Sequence, residues 1–155
     1  MLGHIGINVP DLDAARRYYG AVMPLVGFEV FLDADDEFAY RPMAGKPGTY
    51  LFFYPSAEQS RYSRHRTGLQ HLAFMVRTRS AVNAVHTAVT ELVAQSGGRV
   101  LHAPQVFPQY RQPYFSTFWL DPWGLMLEAV CHHDRDWPRS TKSVATMPSG
   151  QRFPY

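Results

Sequence analysis

Apolar residues alternate with polar or small ones at the start of the chain. Ile5, Ile7 and Val9 share one face of an extended segment from Leu2 to Val9, and His4, Gly6 and Asn8 share the other. That is the period of a strand with one packed face. Pro10-Asp11 breaks it, and Asp11 or Asp13 can cap a following helix. Leu12, Ala15, Tyr19 and Val22 recur at helical spacing until Pro24 and Gly27 end the helix. Three strand-like runs come next, Phe28 to Leu32, Glu37 to Arg41 and Thr49 to Tyr54, with Gly45, Pro47 and Gly48 marking the last turn.

Residues 56–68 are polar and carry Arg61, Arg64, His65 and Arg66, which reads as a linker with a solvated basic cluster. The pattern then restarts. Leu69 to Val76 alternates, with Leu72, Phe74 and Val76 on one face and His71, Ala73 and Met75 on the other. Ser80 can cap a helix carrying Val82, Val85, Val89, Leu92 and Val93, closed by Gly97-Gly98. Strand-like runs at Arg99 to Leu101, Tyr114 to Leu120 and Leu125 to Val130 follow, the last two joined by an Asp121-Pro122-Trp123-Gly124 turn. The order β-α-β-β-β thus occurs twice, in a module over 2–55 and another over 69–131. His4 and His71 hold the same place in the two copies. Each unit covers one sheet face with its helix and leaves the other open. The pattern predicts an α+β fold, two βαβββ modules forming an incomplete barrel around a groove, as one domain over 1–131. Beyond it, 132–155 reads as a tail that packs through Trp137, Phe153 and Tyr155.

Composition narrows the function. Of 155 residues, 46% are hydrophobic and 18% charged, a balance that folds into a core. A formal net charge of +2 offers no field for nucleic acid or an anionic membrane. No run is apolar enough for a membrane helix and the N-terminus lacks the features of a signal peptide, so a cytoplasmic protein is expected. The single cysteine, Cys131, forms no internal disulfide and reads as a packed residue.

Alternation also assigns chemistry to the open faces. The first strand presents His4 there and the fifth His71. On the eighth, Leu125, Leu127 and Ala129 face the helix, leaving Met126, Glu128 and Val130 on the groove. A lone histidine or glutamate on a strand is usually structural. Two histidines at one repeat position, with one carboxylate in an otherwise apolar strand, have the composition of a two-His, one-carboxylate site. Such ligands suit one divalent ion per chain, iron, manganese, zinc, nickel or cobalt. Counting from the turn glycines Gly48 and Gly124, the first-module equivalent of Glu128 is Phe52, flanked by Tyr50 and Tyr54. Three protein ligands and an aromatic wall are therefore expected.

The stretches Gly3-His4-Ile5-Gly6-Ile7-Asn8-Val9-Pro10, Tyr18-Tyr19-Gly20, Gln70-His71-Leu72-Ala73-Phe74 and Asp121-Pro122-Trp123-Gly124-Leu125-Met126-Leu127-Glu128 resemble the vicinal-oxygen-chelate superfamily over about residues 2–133. That superfamily holds glyoxalases, bleomycin-resistance proteins and extradiol dioxygenases. The resemblance implies a metal at His4, His71 and Glu128, a small-molecule substrate chelating it through adjacent oxygens, and a homodimer. Tyr50, Phe52, Tyr54, Tyr110, Arg111 and Tyr114 are candidate substrate contacts. Departures are specific. Glyoxalase I has an acidic fourth ligand where this chain has Phe52. Extradiol dioxygenases carry a further histidine before the last strand, whereas Gln109 to Tyr114 has none and His102 is the nearest. Metal-free resistance proteins lose the ligands kept here. The expected function is a metal-dependent lyase or isomerase of glyoxalase type. A ring-cleaving dioxygenase and an antibiotic-binding protein without turnover are the alternatives.

Overall fold

A computed structural model describes residues 2–58, 60 and 62–135. Arg61, Trp137, Phe153 and Tyr155 lie outside the described residues. The first module contains β1 (His4–Val9), α1 (Leu12–Val22), β2 (Phe28–Asp33), β3 (Phe38–Pro42) and β4 (Tyr50–Pro55). The second contains β5 (His71–Met75), α2 (Arg79–Ser96), β6 (Arg99–Val106), β7 (Phe115–Leu120) and β8 (Met126–Cys131). Each makes one four-stranded sheet, ordered β1-β4-β3-β2 and β5-β8-β7-β6. The two sheets stay separate, so the expected α+β pair of modules is found without a closed barrel.

Local chemistry explains most boundaries. Asp11, in extended conformation, accepts the Ala14 N–H at 2.9 Å and caps α1. A short 3-10 turn with Pro24 follows, ended by Gly27 in the left-handed region. At α2 the cap is Thr78, not Ser80: Thr78 is still extended and its hydroxyl accepts the Ala81 N–H at 3.0 Å. Arg79 is already helical, so Ser80 lies inside the first turn, and its hydroxyl bonds Thr78 instead. Strand β6 also runs past Leu101 to Val106. It is an edge strand with two register shifts, and an edge tolerates Pro104, which has no N–H to donate.

One core joins the helix-bearing sides of both modules. It contains Ala15, Tyr18, Tyr19 and Val22 of α1, Val82, Val85 and Val89 of α2, and Leu72, Phe74, Trp119 and Leu127 of the second sheet. Burying each large apolar side chain contributes roughly 1.5–3 kcal/mol. Two polar links cross between the modules inside it. Tyr19 donates its hydroxyl to Asp121 Oδ2 at 2.8 Å, and Trp119 Nε1 donates to the Tyr18 hydroxyl at 3.0 Å. Asp121 Oδ1 also accepts from the Trp123 and Leu125 N–H groups, closing the β7–β8 turn. Among the described residues no helix is long and apolar enough to cross a membrane.

Candidate functional site

The parallel pairing of first and last strands in each module places the site. In the second sheet His71 lies opposite Met126 and Ala73 opposite Glu128. In the first, His4 lies opposite Tyr50 and Gly6 opposite Phe52. The two registers superimpose Phe52 on Glu128, as the turn glycines indicate.

His71 and Glu128 meet. His71 Nε2 lies 3.4 Å from Glu128 Oε2. Glu128 is fully buried, on a strand whose residues are all buried. Its two oxygens differ: Oε1 accepts the Tyr114 hydroxyl at 2.6 Å, while Oε2 is buried without a hydrogen-bond partner. On the far side of the imidazole, Nδ1 bonds the Gln70 side-chain oxygen. With Nδ1 donating to that amide oxygen, a neutral imidazole presents its Nε2 lone pair to Glu128 and a protonated one presents an N–H. Two lone pairs 3.4 Å apart, with the carboxylate fully buried, repel unless a cation or proton lies between them. The separation matches adjacent ligand atoms around a first-row ion with bonds of about 2.1 Å. A histidine oriented by its other nitrogen and a carboxylate held by one oxygen are the arrangement metal ligands adopt. The donors present therefore fit a divalent ion.

Aromatic residues roof this pair. Phe107, Tyr110 and Tyr114, from the β6–β7 connection, pack with Phe118 and Met126 in a second small cluster. Phe118 faces His71 at 6.3 Å and His102 at 5.8 Å between ring centroids. Arg111 is exposed on the same connection.

His4 does not join them. It is exposed on the open face of the first sheet, edge-on to Phe52 at 5.5 Å. Phe52 stacks with Tyr54 and meets Phe31, which also meets Tyr50. Among the described residues no group of three His, Cys, Asp or Glu side chains could hold a metal ion. The six candidate contacts thus divide: Tyr50, Phe52 and Tyr54 line the first sheet beside His4, Tyr110 and Tyr114 belong to the roof over His71 and Glu128, and Arg111 is not brought to the pair by any contact among the described residues. A larger cleft of about 850 Å3 between the end of β1, the linker and the β7–β8 turn contains none of the three candidate ligands.

The pattern did not reveal Gln70 as a partner of His71, nor Arg64 as a neighbour of Met126. Alternation assigns Gln70, the residue before β5, to the side opposite His71, yet its amide oxygen bonds Nδ1. Arg64, read as part of a solvated linker, folds back so that Nη1 lies 2.8 Å from Met126 Sδ. The offset between a loop and a strand 62 residues later has no signature in sequence.

Comparison with known proteins agrees with this architecture. The chain is 27% identical over 130 residues to the uncharacterized protein YqjT of Bacillus subtilis (strain 168), covering 82% of this chain and 95% of that one. The crystal structure of a candidate glyoxalase from Bacillus halodurans is similar with a TM-score of 0.67 and 25% identity, over 84% of this chain and 95% of that one. A glyoxalase/bleomycin resistance protein from Albidiferax ferrireducens T118 shares the fold with a TM-score of 0.65 at 18% identity, over 84% and 98% of the two chains. The sequence profile of the Glyoxalase/Bleomycin resistance protein/Dioxygenase superfamily matches residues 1–129, and the chain belongs to that superfamily.

Proposed function

We propose that the protein is a divalent-metal-dependent enzyme of glyoxalase type, a lyase or isomerase acting on a small substrate with adjacent oxygens. The observation that carries this reading is the fully buried Glu128 Oε2, unpartnered and aimed at His71 Nε2. A buried carboxylate oxygen without a partner costs stability, and a cation there offsets the cost. The ligands would be His71 and Glu128, with His4 as the third. A bound ion would act as a Lewis acid on substrate oxygens and stabilise developing negative charge.

The chain's own residues do the rest. Gln70 holds the Nδ1 proton of His71 and so keeps Nε2 free to ligate. Tyr114 holds Glu128 Oε1 and fixes the carboxylate plane. Phe107, Phe118 and Tyr110 exclude water from one side. Because His4 stands on the other sheet, we place it opposite the pair in a homodimer, one copy supplying His4 and the other His71 and Glu128. The open aromatic face around Phe31, which is 47% exposed beside Val30 at 60%, suits burial against a second copy. The ring-cleaving alternative draws support from His102, which shares Phe118 with His71.

Elemental mass spectrometry on tag-free protein, before and after metal reconstitution, tests the reading. Near one equivalent per chain in the wild type, lost in Glu128→Ala, is expected. Absence of stoichiometric metal from both would overturn it and favour a binding protein without turnover. Iron as the bound metal would favour the dioxygenase.

A further inference from the structure

We propose that a second, cationic cleft beside the His71–Glu128 pair is the subsite for an oxyanion group, carboxylate or phosphate, on the substrate. This inference rests on the reading of that pair as the reacting centre. The cleft, about 350 Å3, lies between the linker and the edge of the second sheet and includes Arg64, His65, Gly98, Arg99, Leu120 and Trp123 in its walls.

Register ties it to the pair. Arg99 lies opposite Leu120, Leu120 opposite Met126, and Met126 opposite His71, one row across all four strands. Directly opposed residues project from the same sheet face. Arg64 lies on Met126, the residue next to His71 in that row and two before Glu128 on the same strand. Neighbouring strands are about 4.8 Å apart, so the guanidinium is held within a substrate's length of His71.

The donors there are only partly engaged. Arg64 is half-buried, and its bonds run from Nε to His65 Nε2 at 3.2 Å and from Nη1 to the Met126 thioether at 2.8 Å. A thioether is a weak acceptor for a fork built to grip carboxylate or phosphate. Neither Arg64 nor Arg99 forms an ion pair among the described residues. The acid in the cleft wall, Asp121, is 2% exposed and has its oxygens bonded to Tyr19 and to the turn's N–H groups. Gly98 sets the position of Arg99: at φ +100°, a Cβ there would fall 2.4 Å from the Leu120 carbonyl oxygen, so only glycine lets β6 start so close to β7.

The test is calorimetric titration of inorganic phosphate and of malonate into wild type, Glu128→Ala, Arg64→Gln, Arg99→Gln and Arg64→Lys, with near-UV circular dichroism confirming each fold. Expected is binding to metal-free wild type and to Glu128→Ala, weakened roughly ten-fold or more in either Gln variant and partly restored by Lys, since charge-assisted bonds carry that much affinity. Tighter phosphate than malonate assigns a phosphoryl group, and the reverse order a carboxylate. No binding to wild type, or equal binding to Arg64→Gln, overturns the proposal. Arginine-dependent binding by a chain that takes up no metal would sink the metal reading and leave this subsite standing.

Discussion

Tyr114 donates its hydroxyl to Glu128 Oε1 at 2.6 Å, tying the connection before β7 to the only carboxylate on the open face of β8. The bond turns Oε2 towards His71. Tyr114→Phe keeps the ring in its aromatic cluster but frees the carboxylate. Losing a partner of this kind costs about 10–100-fold in metal affinity. Competition with a chromogenic chelator should show that drop without a change in near-UV circular dichroism, and unchanged affinity would remove Tyr114 from the site.

His4 and Glu128 can be assigned to the same or to different chains by mixing variants. His4→Ala and Glu128→Ala should each bind no metal alone. If the site spans two copies, unfolding and refolding them together yields hybrid dimers with one intact site. Metal content should then rise to about a quarter of an equivalent per chain for random pairing. A mixture that stays empty would place all three ligands in one chain.

The Tyr19–Asp121 bond joins α1 to the β7–β8 turn across the core. Tyr19→Phe leaves the packing and strands a buried acceptor. Hydrogen bonds to charged groups contribute about 1.5–3 kcal/mol, so the urea midpoint should fall by that equivalent with the slope unchanged. A slope that changes would mean that the modules have stopped unfolding together.

Asp121 also predicts a pH dependence. Burial raises its carboxyl above the ordinary value, against the lowering effect of bonds from Tyr19 and the turn N–H groups. The folded state therefore keeps this proton to a higher pH than the unfolded chain does. Its stabilising contribution is complete below the ordinary carboxyl value and lost as pH rises through the raised one. Urea midpoints from about pH 4 to pH 7 should show wild type losing ground against Asp121→Asn as pH increases. A constant difference would mean that Asp121 titrates normally in the fold.

Much of this was legible in the chain. Alternation placed His4, His71 and Glu128 on open faces, because a strand's side chains change side with every residue. Helical spacing found Val82, Val85 and Val89, all fully buried or nearly so. The turn glycines aligned Phe52 with Glu128 before the strand registers did. Strand ends and caps were less legible where two residues compete for one role, as Thr78 and Ser80 do.

By itself the sequence determined the repeat, the side each candidate ligand takes and Phe52 as the counterpart of Glu128, since all three follow from local periods and the placing of turn glycines. Only the tertiary structure decided which candidate ligands meet. His71 and Glu128 do because β5 and β8 are hydrogen-bonded neighbours, and His4 does not because β1 belongs to a separate sheet. Gln70 behind the imidazole, Tyr114 over the carboxylate and Arg64 against Met126 are likewise outcomes of packing. Contacts between distant segments depend on how whole elements fill space together, and no local period encodes that.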